Sequence, residues 1–425
     1  MKILQTTWGV EKEPLMKAFG FKGGALTCLW QVAVCLKTET FEAVGLGVQS
    51  VLWSDGAVFS RFGEETGNAM MLDTTRYALA QLRGMPLEHP QTVMAQLFPA
   101  VYAYARKRTE SHKLRKTFVR NALVPVDLAL WQLWLKEQGE TAFDAVWDIP
   151  HEKQTRLANI PLITYGTGEE EILALARANT PLLKIKIGSD PNGSGCVQDM
   201  LEWDCCRLLQ IHRLVENIPT THTQSGHILY YLDANGRYDS KENLLRLLDF
   251  AKMHGILERV ILLEEPFPED SEIFVGDLPV TVAADESAHG PEEVRRRYAQ
   301  GYRALALKPI AKGITASLEM ARFALEKGMA CFCADLTVNP LMVTWNQCVA
   351  ARLPRLPGMR VGVVESNGSQ NYRNWQAMQA YHPALGAPWL MPEKGIYLLN
   401  EAFFSGNGGI FTPAPYYQSL AAQEI

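Results

Sequence analysis

The sequence predicts an α/β protein: a closed barrel of parallel strands preceded by a smaller α+β unit. Three observations lead there. From about residue 155, short apolar runs alternate with amphipathic helical stretches. Eight such runs fall between residues 160 and 367: "IPLITYG", "PLLKIKIG", "HILYYLDAN", "RVILLEEP", "PVTVAADES", "YRALALKP", "MACFCADLT" and "MRVGVVESN". Between them lie helical patterns such as "EEEILALARAN", "SKENLLRLLDFAKMHG", "PEEVRRRYAQG" and "ITASLEMARFALEKG". That alternation implies parallel strands with right-handed crossovers. An open doubly wound sheet is the alternative. No strand is followed by the glycine spacing of a dinucleotide turn, and "GSDPNGSG" reads as a loop.

The first 150 residues show no regular repeat. Residues 25–53, rich in Val, Leu and Trp, read as strands separated by a turn around Lys37 to Phe41. Asp73 to Arg83 and residues 120–139 carry helical apolar spacing, with Gly139 as the stop. Strands followed by helices suggest an α+β unit. The Gly/Pro-rich stretch from His382 onward has no further strand–helix unit and is expected to return to the N-terminal domain.

Composition narrows the function classes. With 425 residues, 47% apolar and 20% charged, the chain has room for a large core and two domains. A net charge of −5 leaves no electrostatic footprint for nucleic acid or an anionic membrane. The first residues turn polar too soon for a signal peptide, and no apolar run approaches the roughly 20 residues of a bilayer span. None of the eight cysteines forms a CxxC, which suits free thiols in a reducing cytoplasm.

Function in a parallel barrel sits at the C-terminal ends of the strands. Those ends read Lys184 and Lys186, Asp233, Glu265, Asp285, Lys308, Asp335 and Glu365 from the second strand to the eighth. Each has an ordinary explanation as a helix cap, a solvated turn or an edge lysine. Their recurrence at one point of every unit does not. Three carboxylates from consecutive strands can hold a hard divalent cation such as Mg²⁺, with no histidine or thiol among them for zinc. Lysines on either side would bring an amine to each face of a bound molecule. Lys184 and Lys186 share one strand face, and ammonium groups about 6 Å apart repel by roughly 2–3 kcal/mol at an effective dielectric near 20. That repulsion, and a bound cation, would move Lys186 toward the range of a base, while the carboxylates oppose the shift.

At these residues the chain resembles the enolase superfamily, in its muconate lactonizing enzyme-like subgroup. The resemblance is carried by "KIK" at 184–186, "LDANGRY" from 232, "LEEP" from 263, "AADES" from 283 and "ALKP" from 306, with "ALVPVDLALWQLWLK" before the barrel. It implies a modified (β/α)7β barrel over residues 155–382. It also implies an α+β capping domain from residues 1–150, completed by 383–425. Mg²⁺ would be held by Asp233, Glu265 and Asp285, with Lys186 and Lys308 as bases. Family members remove the proton α to a carboxylate and stabilise the enediolate on the metal. The subgroup's dipeptide epimerases carry Asp-x-Asp on the eighth strand, where this chain reads "VVESNGSQNY". Asp335 is the candidate substitute and Glu365 the candidate for the substrate carboxylate. No His-Asp pair of the mandelate racemase type is found, and His289 reads as a loop residue. Phe19, Phe21 and Trp53, in the expected capping loops 14–24 and 50–59, are candidates to cover the substrate or to join the domain interface.

The expectation is therefore a cytoplasmic, Mg²⁺-dependent racemase or epimerase of a small carboxylate, with Lys184 tuning Lys186. It binds neither nucleic acid nor membrane, and a homo-oligomer is left open. Cycloisomerisation or β-elimination on the same scaffold, a Schiff-base aldolase and a non-catalytic binding paralogue are the alternatives.

Overall fold

A computed structural model describes residues 1–21, 24–190 and 192–422, the side chains of residues 19–21 aside. The N-terminal unit is an antiparallel sheet of β1 (Gln5–Phe21), β2 (Gly24–Lys37) and β3 (Glu42–Gln49), in that order. Four helices follow: α1 (Val51–Ser54), α2 (Gly56–Leu82), α3 (Pro90–Arg108) and α4 (Lys116–Gln138). Gly139 ends α4 in the left-handed conformation, φ 71°, the stop its position predicts. β2 is apolar almost throughout because both its faces are covered. Trp30, Val32, Val34 and Leu36 pack on the helices, while Leu29 and Ala33 join the core shared with the barrel. Residues 50–59, expected as a loop, are largely helical: α1 and the start of α2 meet at Asp55, whose carboxylate caps the N–H groups of Ala57 and Val58.

The barrel strands are β4 (Arg156–Ile160), β5 (Leu162–Ile163), β6 (Leu182–Lys186), β7 (Leu229–Asp233), β8 (Val260–Glu264), β9 (Val282–Ala284), β10 (Ala304–Leu307), β11 (Ala330–Cys333) and β12 (Gly362–Glu365). All are parallel, each bonded to the next. β4 and β5 are halves of one strand interrupted at Pro161. β4 pairs with β12 and β5 with β6, which closes the ring. Six of the connections contain a helix of nine or more residues; the crossover from β8 to β9, residues 265–281, is irregular.

The lumen is filled by one phase of every strand. Ala158, Ile160, Leu182, Tyr231, Leu262, Ala283, Ala304, Ala306, Phe332, Ala334 and Val363 form a single buried cluster. Large rings from two strands meet edge-on, Tyr231 and Phe332 at 5.3 Å, and small alanines opposite make room for them.

The chain end serves both units. β13 (Ile396–Leu398) pairs antiparallel with β4, and the helix Pro415–Ala421 packs on the N-terminal sheet, where Leu420 O occupies the space a side chain at Gly9 would need. No helix among the described residues is long and apolar enough to cross a membrane.

Candidate active site

Strand phase decides which ionisable groups enter the lumen. On six strands a charged residue stands two positions beyond a lumen-facing apolar one: Lys184 after Leu182, Asp233 after Tyr231, Glu264 after Leu262. Asp285 follows Ala283, Lys308 follows Ala306 and Glu365 follows Val363. Register then aligns them. Lys186 is opposite Asp233, and Asp233 opposite Glu264.

These groups converge. Lys186 Nζ donates to Asp233 Oδ2 at 2.7 Å and also to Asn235 Oδ1. Lys184 Nζ lies 3.0 Å from Asp233 Oδ2, 3.0 Å from Glu264 Oε2 and 3.3 Å from Glu365 Oε2, over the ring of Tyr231. Burial pushes the Lys184 ammonium down, but these carboxylates outweigh it and hold its pKa well above the ordinary value. Lys308 pairs with Asp285 Oδ2 and is likewise raised against the cost of burial, by Asp285 first. Lys312, fully buried, donates to Asp285 O at 2.7 Å and was not expected from sequence; its spacing of four from Lys308 was the available signal.

Glu265 is turned out of the lumen. It has φ 39°, and its Oε2 accepts from the N–H groups of Asp285 (2.8 Å) and Ser287 (3.2 Å) and from Ser287 Oγ (3.0 Å). Burial raises its pKa to about 7. Its neighbour Glu264 takes the lumen position that the sequence reading gave to Glu265. One ligand atom from each of Glu264, Asp285 and Glu286 lies within 4.8 Å of the others, all three residues buried. Glu264 is pushed well above the carboxylate range, by burial before all else. Neither of its oxygens makes a directed hydrogen bond among the described residues. A buried, oxygen-only cluster of three carboxylates fits a hard divalent cation.

Asp335 is out of phase with the lumen. Its carboxylate accepts from the N–H groups of Leu336 (2.7 Å), Val338 (3.4 Å) and Asn367 (2.8 Å), tying the ends of β11 and β12 together. Burial raises its pKa to about 7. Glu365 is in phase and accepts from Lys184 and from the N–H of Asp335 at 3.3 Å.

The N-terminal unit roofs these groups. A cavity is bounded below by Lys184, Lys186, Asp233, Asp285, Lys308, Asp335 and Glu365, and above by Leu15, Leu26, Leu29, Ser50 and Trp53. Trp53 is buried with its ring 5.0 Å from Lys308 Nζ. The side chains of Phe19 and Phe21 lie outside the described residues. Gln31 of β2 locks the roof to the barrel, donating to Tyr372 Oη and accepting from Asn339, both at 2.8 Å. Tyr372 in turn donates to Thr337 O at 2.6 Å.

A closed parallel barrel roofed by an α+β unit is also the fold of solved mandelate racemase/muconate lactonizing proteins. Residues 169–370 match the family model described as enolase C-terminal domain-like. A mandelate racemase/muconate lactonizing protein from Herpetosiphon aurantiacus is 18% identical, with a TM-score of 0.68 over 94% of this chain and 96% of its own. A dipeptide epimerase from Enterococcus faecalis, complexed with Mg and L-Leu-L-Tyr, is 16% identical, with a TM-score of 0.66 over 96% and 99%. An N-succinyl Arg/Lys racemase from Bacillus cereus is 15% identical, with a TM-score of 0.66 over 100% and 99%. At these identities the likeness establishes the fold. No curated protein matches the chain.

Proposed function

We propose that the protein is a Mg²⁺-dependent racemase or epimerase that moves the proton α to the carboxylate of a small acid. The observation that carries this reading is the disposition of the two lysines. Lys186 ends the second strand of an eight-position ring and Lys308 follows the sixth, so their amines approach one cavity from opposite sides. An acid bound between them offers opposite faces of its α-carbon to the two groups. The neutral amine takes the proton from one face; the ammonium opposite returns one to the other. Asp233 and Asp285 orient the lysines through their ion pairs. Lys184, surrounded by Asp233, Glu264 and Glu365, stays charged and balances the carboxylates rather than serving as a base.

Asp233, Glu264 and Asp285 are the residues we assign to Mg²⁺, with Glu286 beside them. The bound ion would supply positive charge to the substrate carboxylate as the α-proton leaves. The relatives named above, one complexed with Mg and a dipeptide and another named for racemising N-succinyl amino acids, support this direction.

Proton exchange in D₂O, followed by NMR over a panel of dipeptides, N-acyl amino acids and acid sugars, tests the reading. Lys186→Ala and Lys308→Ala should each abolish net epimerisation. Each should still exchange the α-hydrogen of one stereoisomer, with opposite preference. If both variants exchange both stereoisomers at the wild-type rate, neither lysine is the base. If only one lysine is needed for all turnover, the reaction is an elimination or cycloisomerisation instead.

A further inference from the structure

We infer that the groove between the N-terminal helices α3 and α4 and the barrel helices Pro309–Lys312 and Ile314–Glu326 is a second binding site, for a small monocarboxylate with a hydrocarbon tail held by Arg120. The site lies outside the barrel lumen and is independent of the reaction proposed above.

Two other guanidiniums packed between elements are well satisfied. Arg297 donates to Ser271 O at 2.9 Å and to Gln300 Oε1 at 2.6 Å, and Arg352 donates to Asp144 Oδ1 at 2.6 Å and to Cys348 O at 2.7 Å. Arg120 of α4 differs. Among the described residues it has no hydrogen bond and no ion pair. The side chain is wedged in place: Cζ lies 5.0 Å from the centre of the Phe98 ring, and a Cβ at Gly290 would stand 2.9 Å from Nη2. Nearby carboxylates are taken. Both oxygens of Asp127 accept from Thr315, and Glu293 Oε1 accepts from Lys116 at 2.9 Å. Burial pushes the Arg120 pKa down, and Glu319, Glu293 and Asp127 oppose this only from beyond ion-pair distance.

Arg120 is only partly buried, and of its three nitrogens Nε alone is sealed off. The outer two keep accessible surface where the residue lines the groove. A guanidinium fork without a partner matches the two oxygens of a carboxylate. Beside it Met94, Ala95, Phe98 and Pro99, none of them fully buried, give α3 an apolar wall for a hydrocarbon tail. Glu319, on the facing helix, would repel a second negative charge, so the groove suits a monoanion rather than phosphate.

Calorimetric titration of the Mg²⁺-loaded enzyme with hexanoate, hexanamide and inorganic phosphate tests this. Hexanoate should bind roughly tenfold or more tighter than hexanamide, which keeps the tail and lacks the charge. Phosphate should not displace it. Arg120→Gln should weaken hexanoate binding by roughly tenfold to a hundredfold, the loss of a charge-assisted pair of hydrogen bonds. Ala95→Phe, at an exposed position of α3, narrows the groove without removing the guanidinium and should weaken binding as well. Circular dichroism confirms that the variants are folded; should Arg120→Gln fail to fold, Ala95→Phe decides alone. A hexanoate held in the lumen instead would bind both variants as it binds wild type. Affinity unchanged in either folded variant, no binding by wild type, or phosphate binding tighter than hexanoate overturns the site.

Discussion

At Glu264 the end of β8 delivers a buried carboxylate among Asp285, Glu286 and the Lys184 ammonium, whereas the next residue, with the same side chain, caps backbone N–H groups outside the lumen. The two positions should respond differently to the same change. Glu264→Gln removes a charge from the cluster and should weaken Mg²⁺ binding by more than about 100-fold, beyond the roughly 10–100-fold typical of an outer-sphere partner. Glu265→Gln keeps an oxygen for the Asp285 and Ser287 N–H groups and should cost less than about tenfold. Calorimetric Mg²⁺ titration of both variants decides it. Equal losses would return Glu265 to the ligand set.

Between elements, the approach of α4 to β3 determines where the roof sits. Gly45 and Gly47 present bare backbone to the helix. An added Cβ at Gly45 would stand 1.9 Å from Pro125 O and 2.5 Å from Ala129 N, and one at Gly47 would stand 2.5 Å from Pro125 Cδ. Neither glycine is there for a left-handed conformation; close approach is the reason. α4 is also pinned to the barrel: Asp127 accepts from Thr315 N (2.9 Å) and Thr315 Oγ1 (2.6 Å), and Trp131 Nε1 donates to Thr315 Oγ1 at 2.9 Å. The helix cannot retreat without breaking these bonds. Gly45→Ala should therefore destabilise the protein by about 2–3 kcal/mol, the cost of overpacking a rigid contact. Urea denaturation of the variant measures it, and a loss below about 0.5 kcal/mol, the range of an ordinary surface change, would mean that the helix moves freely.

Over the whole molecule, stability should depend on pH through His382, where the returning chain meets the barrel helix Pro340–Ala350. Its Nδ1 accepts the Ala384 N–H at 3.0 Å, so Nε2 carries the proton and faces Thr344 Oγ1 at 3.0 Å. Burial pushes its pKa down to about 4 from 6.5. Below pH 6.5 the unfolded chain binds a proton that the folded chain refuses until about pH 4, so stability is lost as pH falls through that window, by up to about 3 kcal/mol. Asp127, raised to about 6 by burial, and Asp335, raised to about 7, act in the opposite sense, because the folded state keeps their protons at higher pH than the unfolded state does. The contribution of His382 is therefore isolated as the difference between wild type and His382→Gln. The wild-type advantage should shrink from pH 7 to pH 4. A constant difference across that range would show that His382 does not titrate as its burial requires.

The amino-acid sequence by itself determined the rhythm of the barrel, the alternation that puts Lys184 and Lys186 on one face, and the clustering of ionisable residues at strand ends. These are local patterns, legible because period and spacing are properties of one segment. The phase of "LEEP" was not legible. β8 is buried on both faces, so Leu262 and Leu263 are equally apolar, and the period-two signal that separates lumen from exterior vanishes. Only pairing with β7 and β9 brings Glu264 inward, and only the N–H groups after β9 turn Glu265 away. β1 was hidden for the opposite reason: it is an edge strand carrying Glu11, Lys12, Glu13 and a Pro14 where the register shifts, a composition that does not read as a strand. The roof over the site, with the Trp53 ring over Lys308 Nζ, joins residues more than 250 positions apart. Contacts between such distant segments exist only once the two units have packed, so only the tertiary structure decided them.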